Sequence, residues 1–148
     1  MRRVILLAMT FLPIMSMAAI PELSSLVKRY ENISGVTALT MNDEMLGMYG
    51  DEEGLSEGVD EIVILATENG TLAANISAEA MVIIQRINLP LLTTISNGGA
   101  DTKVYVRRSD GVITDLVFLG LNGSGGSMVI ISGMLDPNML EAFMQFAQ

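Results

Sequence analysis

Apolar residues follow a helical rhythm in the first half of the chain and a strand rhythm in the second. Leu23, Leu26, Val27 and Tyr30 fall at i, i+3, i+4 and i+7, which predicts a helix over residues 21–32. A second stripe, Leu72, Ile76, Ala80, Ile83 and Ile87, predicts another helix that stops before Pro90. Between these stripes, Val36 to Met41 reads as a strand after Gly35. Asn42 or Asp43 can then cap a short helix carrying Met45, Leu46, Met48 and Tyr49. An acidic, glycine-punctuated loop over residues 51–60 leads to the β-rich run Ile62 to Ala66, which suits a strand buried on both faces.

Beyond Pro90 come four β-rich segments, Leu91 to Ser96, Thr102 to Arg108, Ile113 to Leu121 and Ser127 to Met134. They are separated by Asn97-Gly98-Gly99, Ser109-Asp110-Gly111 and Asn122 to Gly126, turn chemistry that predicts an antiparallel four-strand meander. Asp136-Pro137 then has the chemistry of a helix start, and Leu140, Phe143, Met144 and Ala147 give that last helix an apolar side. The resulting order, α-β-α-β-α-β-β-β-β-α, describes a single α+β domain, a mixed or antiparallel sheet with helices on at least one face.

The first 19 residues belong to neither rhythm. Arg2 and Arg3 precede an apolar run from Val4 to Met15, and Ser16-Met17-Ala18 has the small-x-small pattern of a cleavage site. Residues 1–18 are therefore expected to be a cleavable signal peptide and 19–148 the exported domain, periplasmic or secreted, with no transmembrane segment after signal removal. Removal takes two of the eight basic residues and none of the 17 acidic ones, leaving a net charge of −11. A field of that sign repels nucleic acid, so no nucleic-acid partner is expected.

The chain contains neither cysteine nor histidine. Disulfides, Ser-His-Asp and Cys-His machinery, and zinc sites of the usual donor set are thereby excluded. Catalysis would have to rest on carboxylates, Lys28, Lys103, tyrosines or hydroxyls, so no catalytic, cofactor-binding or metal set is assigned and a non-enzymatic role is favoured.

Ser25 to Tyr30 leading into Gly35-Val36-Thr37, Asn42 to Leu46, Val104 to Arg108 followed by Ile113 to Val117, and the closing Ile130 to Asp136 together resemble a family of small exported bacterial proteins. The family is known as domain of unknown function four-two-five-two, and the chain departs from its usual tyrosine-rich segment at Leu89-Pro90-Leu91-Leu92. The resemblance implies export and one α+β domain, and carries no catalytic residues over.

Several constellations invite a chemical reading. Asp51-Glu52-Glu53, Glu57 and Asp60-Glu61 suggest calcium, yet counting from Asp51 places Leu55 and Ile62 at the fifth and twelfth positions of an EF-hand loop, so a solvated acidic loop is expected. Met41, Met45 and Met48 have helical spacing but Met41 falls on a strand, which favours core filler over a copper site. Gly120, Gly123, Gly125 and Gly126 lack a following lysine and join two strands, as a hairpin turn does. Asn32, Asn69, Asn75 and Asn122 begin N-x-Ser/Thr triplets of no expected consequence in a bacterial chain, and Ser24 with Lys28 lacks an oxyanion hole.

One asymmetry remains. Lys103, Arg107 and Arg108 crowd three of the six basic residues left after signal removal into one strand, and alternation places Lys103, Tyr105 and Arg107 on one face. The plain reading is a solvated face whose charges protect a sheet edge. The functional reading is a stripe that meets an envelope protein or an anionic ligand, and Lys103→Glu with Arg107→Glu would then abolish capture with little change in stability. The expected function is an exported binding or interaction module of a bacterial cell envelope, with a carboxylate-dependent hydrolase of an envelope polymer as the alternative.

Overall fold

A computed structural model describes residues 20–42, 44–45, 58–138 and 140. Its elements run α1 (Pro21–Tyr30), β1 (Val36–Asn42), β2 (Val59–Thr67), α2 (Gly70–Arg86), β3 (Leu91–Asn97), β4 (Ala100–Ser109), β5 (Val112–Leu121) and β6 (Gly126–Leu135). The expected signal peptide, Leu46, Met48, Tyr49, Asp51 to Glu57, and Phe143, Met144 and Ala147 lie outside the described residues.

Among the described residues the fold is α+β, an open six-stranded sheet in the order β1-β2-β6-β5-β4-β3 with two full helices. Every neighbouring pair is antiparallel. Strands β3 to β6 are neighbours in chain order, and β6 then pairs with β2. That last pairing is invisible to local patterning because it joins segments separated by α2 and three strands. It also revises the expectation for β2, which is antiparallel on both sides and has only Val59, Leu65 and Thr67 buried.

Both helices pack on one face. Leu23, Leu26 and Val27 of α1 and Ile76, Ala80, Ile83 and Ile84 of α2 meet Leu65, Tyr105, Val117, Leu119, Met128 and Ile130 of the sheet in one cluster. The opposite face carries a second cluster built on Val104, Val106, Leu116, Phe118 and Ile131, against which Leu140 packs. Such alternation along β4 and β5 is what an antiparallel strand with two apolar sides requires.

Local chemistry explains where the helices begin and end. Pro21 opens α1, with Glu22 in its first turn and Lys28 and Arg29 in its last, each charge complementing the helix dipole. Asn69 caps α2, its Oδ1 accepting from the Leu72 N–H at 3.0 Å. At the other end Asn88 takes φ 57°, and the Leu89 N–H donates to the Ile84 carbonyl while the Asn88 N–H donates to that of Gln85. This is a Schellman termination with asparagine in the left-handed position. Pro90 then forbids continuation and starts the path into β3.

The two helices are tied by Glu79, whose carboxylate pairs with Arg29 at 2.6 Å and accepts a hydrogen bond from the Tyr30 hydroxyl. Asn42 behaves as the expected cap, its Oδ1 accepting from the Met45 N–H at 2.9 Å. Asp136 does the same for Asn138 at the start of the last helical segment.

Candidate functional site

Register irregularities gather at one end of the sheet. They fall between Val59 and Glu61 in β2, Leu91 and Thr93 in β3, Arg107 and Arg108 in β4, and Ile113 and Asp115 in β5. The antiparallel register shows these positions to be level with one another, at the start of β2, β3 and β5 and the end of β4. Bulges concentrate beside functional sites because each re-aims a side chain. The close approach of Gly58 and Gly133 belongs to the same zone: Gly133 has φ 153°, and a Cβ there would lie 2.1 Å from the Gly58 carbonyl oxygen.

A polar row crosses the helix-side face at this level. Cross-strand partners Asn42–Glu61, Glu61–Ser132, Ser132–Asp115 and Asp115–Arg107 place these five residues side by side. At its centre Asp115 is only 1% exposed. Ser132 Oγ donates to Asp115 Oδ1 at 2.9 Å, while Arg107 Nε and Thr114 Oγ1 donate to Oδ2 at 2.6 and 2.9 Å. A carboxylate this buried is tolerable because both oxygens are engaged and a cation pairs with it. The consequence runs outward: Arg107, whose side chain is 43% exposed, is anchored at its Nε end to the core of the sheet.

The row ends at a cavity of about 460 Å³, within the usual range of small-ligand sites. Its apolar wall is Ile20, Ile87, Leu89, Pro90 and Val106, and its polar groups come from Glu22, Asn88, Arg107 and Arg108. The Schellman termination of α2 supplies one side, the end of β4 the other, and the start of α1 the third. Among the described residues the lining carries the guanidinium groups of Arg107 and Arg108 and the carboxylate of Glu22, and Asp115 behind the wall balances the charge of Arg107. An anionic group entering there would leave water for a partly apolar enclosure with charged donors, the setting in which such hydrogen bonds are strongest.

The structure treats the three residues of the expected stripe differently. They do share one face, but it is the helix-covered face, and β4 is an interior strand between β3 and β5, so the edge-protection reading of its charges is overturned. Tyr105 is 4% exposed, with its hydroxyl donating to Met81 Sδ at 3.1 Å, and burial pushes its pKa up from 10.0. Lys103 is exposed, paired in register with Thr94 and Leu119, away from the cavity. Arg107 alone of the three belongs to the cavity, and Arg108 joins it there. The expectation that Arg107→Glu leaves stability nearly unchanged also falls, since the new carboxylate would face buried Asp115.

Other sequence candidates resolve into local structure. Asn122 Oδ1 accepts from the Ser124 N–H and hydroxyl and from the Gly125 N–H, closing the β5–β6 hairpin. Asn69 is the α2 cap, so two of the four triplet asparagines have structural roles. Met41 lies on β1 and Met45 on a helical turn, while Asp60 and Glu61 lie on β2. Lys28 is exposed and Ser24 half-buried, with no hydrogen bond joining them. Asp115 and Ser132 were not singled out by sequence; a lone charge inside the apolar run Ile113 to Leu121 was the available signal.

Sheet and cavity together define an α+β protein with an open antiparallel sheet and an arginine-lined pocket at the bulged end. The family model described as Domain of unknown function (DUF4252) matches residues 30–143, and the chain belongs to that family. No curated protein and no solved structure matches it. Among the described residues no helix is long and apolar enough to cross a membrane.

Proposed function

We propose that this protein is an exported, non-enzymatic binding module of a bacterial cell envelope, and that the end cavity receives an anionic group of its ligand. The carrying observation is the paired arginines at the cavity: Arg107, held by the buried Asp115 carboxylate at 2.6 Å, forms part of the wall, and its neighbour Arg108 lines the same enclosure. Fixing a donor before the ligand arrives lowers the ordering cost of binding.

The composition supports the absence of catalysis, since neither a thiol nor an imidazole exists to act as nucleophile or base. Among the described residues Glu22 is the one carboxylate lining the cavity, so that described lining gives no support to the pair of carboxylates about 5 to 10 Å apart that glycoside hydrolysis uses. The hydrolase reading is correspondingly weaker.

Calorimetric titration of the purified protein with N-acetylvaline, its amide, and inorganic phosphate tests the reading. Saturable binding of an anion is expected, with loss of about tenfold or more in affinity on Arg108→Ala, because a charge-assisted hydrogen bond is removed. Absence of saturable binding by either anion, or equal binding by the variant, would sink it.

A further inference from the structure

Among the described residues the two edges of the sheet are β1 and β3, which contain no charged residue, whereas β2, β4 and β5 between them carry seven. Natural sheets usually place charges or proline on their edges to prevent strand addition, so the distribution here is inverted. Edge β3 has two further properties. Its first residue, Leu91, is 53% exposed, and residues Leu89 and Pro90 that lead into it are cavity lining. The Pro90 carbonyl still accepts from the Val106 N–H, so the cavity wall and the edge strand are one continuous stretch of chain.

Polarity along this edge is asymmetric. Arg107 and Arg108 line the cavity beside Pro90 at the Leu91 end, Arg86 closes α2 five residues before Leu91, and Lys103 pairs with Thr94 in mid-strand. At the far end Asp101 accepts a hydrogen bond from Ser96 Oγ at 2.7 Å. Four of the six basic residues left after signal removal thus lie along the path from the end of α2 to β4, with a carboxylate at the opposite end of β3.

We infer that β3 accepts the C-terminal strand of a partner protein, added antiparallel, with the partner's terminal carboxylate in the arginine-lined cavity. This rests on the proposed cavity function and names the ligand class. Direction follows from topology: β3 runs away from the cavity, so only an antiparallel neighbour ends beside it. Charge agrees, since the carboxylate end meets Arg108 and the other end meets Asp101. Main-chain hydrogen bonds to an edge give affinity in this mode, and terminal-carboxylate capture gives polarity and register. Counting from the two-residue turn Gly98–Gly99, the hydrogen-bonded pairs are Asn97–Ala100 and Ile95–Thr102, which directs the amide groups of Thr94 and Ser96 outward.

The test uses an acetylated seven-residue Thr/Val peptide with a free C-terminal carboxylate, its C-terminal amide, a copy N-methylated on alternate amides, and N-acetylvaline as a cavity-only probe. Thr94→Pro removes an outward N–H, a change edge strands tolerate, and melting confirms its folding. Free-carboxylate peptide is expected to bind the purified protein about tenfold or more tightly than the amide, the N-methylated copy or the Thr94→Pro variant allow. N-acetylvaline should bind wild type and Thr94→Pro equally. Should N-methylation, with or without a folded Thr94→Pro, leave peptide binding unchanged while N-acetylvaline still binds, strand addition is overturned and the cavity reading stands. Should amidation make no difference, carboxylate capture is overturned. If neither N-acetylvaline nor the peptide binds, both readings fall.

Discussion

Asp115 shows how one buried charge organises a surface. Its three hydrogen-bond partners, Arg107, Thr114 and Ser132, come from β4, β5 and β6, yet in sequence it is only a single acid inside a ten-residue, largely apolar strand. Replacing it with asparagine keeps the shape but removes the charge that holds Arg107, and chemical denaturation should show a loss of about 1.5 to 3 kcal/mol. Arg107→Glu should cost at least about 2 kcal/mol by the same measurement, because it leaves a buried carboxylate facing a like charge; a near-neutral result would show that the pair is not held as described. The tyrosines give a pH signature. The Glu79 hydrogen bond, with burial, raises the Tyr30 pKa above 10.0, and burial raises that of Tyr105. A raised folded value means stability that is complete below pH 10 and lost as pH rises through it. Melting temperature should therefore fall above about pH 10, and Tyr105→Phe should flatten that fall. An unchanged alkaline profile in Tyr105→Phe would remove Tyr105 as a contributor.

At the scale of elements, most of the fold was legible. The 3.6-residue stripes located α1 and α2, and the turn residues separated β3, β4, β5 and β6 to within two residues of their observed ends. Helix ends were legible where a side chain makes the cap, as at Asn69; Asn69→Ala should lower stability by about 1 kcal/mol in a denaturant melt, and no change would mean the cap is not formed. What local pattern could not give was the β2–β6 pairing, a long-range choice made by burial of two faces at once. That omission misled the reading of β4. Crowded charges looked like edge protection, but tertiary pairing buries that strand and leaves the uncharged β1 and β3 outside. Only the helix-covered side of β4 could reveal Tyr105 as core, because period two assigns residues to faces without saying which face is covered.

For the whole molecule, bulges, the polar row, the end of α2 and the start of α1 converge at one end of the sheet. Export as proposed would trim the chain beside this end: cleavage after Ala18 leaves Ala19 as the first residue, next to Ile20 of the cavity wall. Intact-mass measurement of secreted protein should give a chain beginning at Ala19, and a retained Met1 would contradict the processing. Whether the arginine-lined cavity receives an anionic group is read residue by residue from amide chemical-shift mapping during titration with N-acetylvaline. Saturable shifts centred on Asn88, Leu89, Val106, Arg107 and Arg108, and lost in Arg108→Ala, are the predicted result. Shifts that never saturate, or that centre on Lys103 and the far end of the sheet, would contradict it.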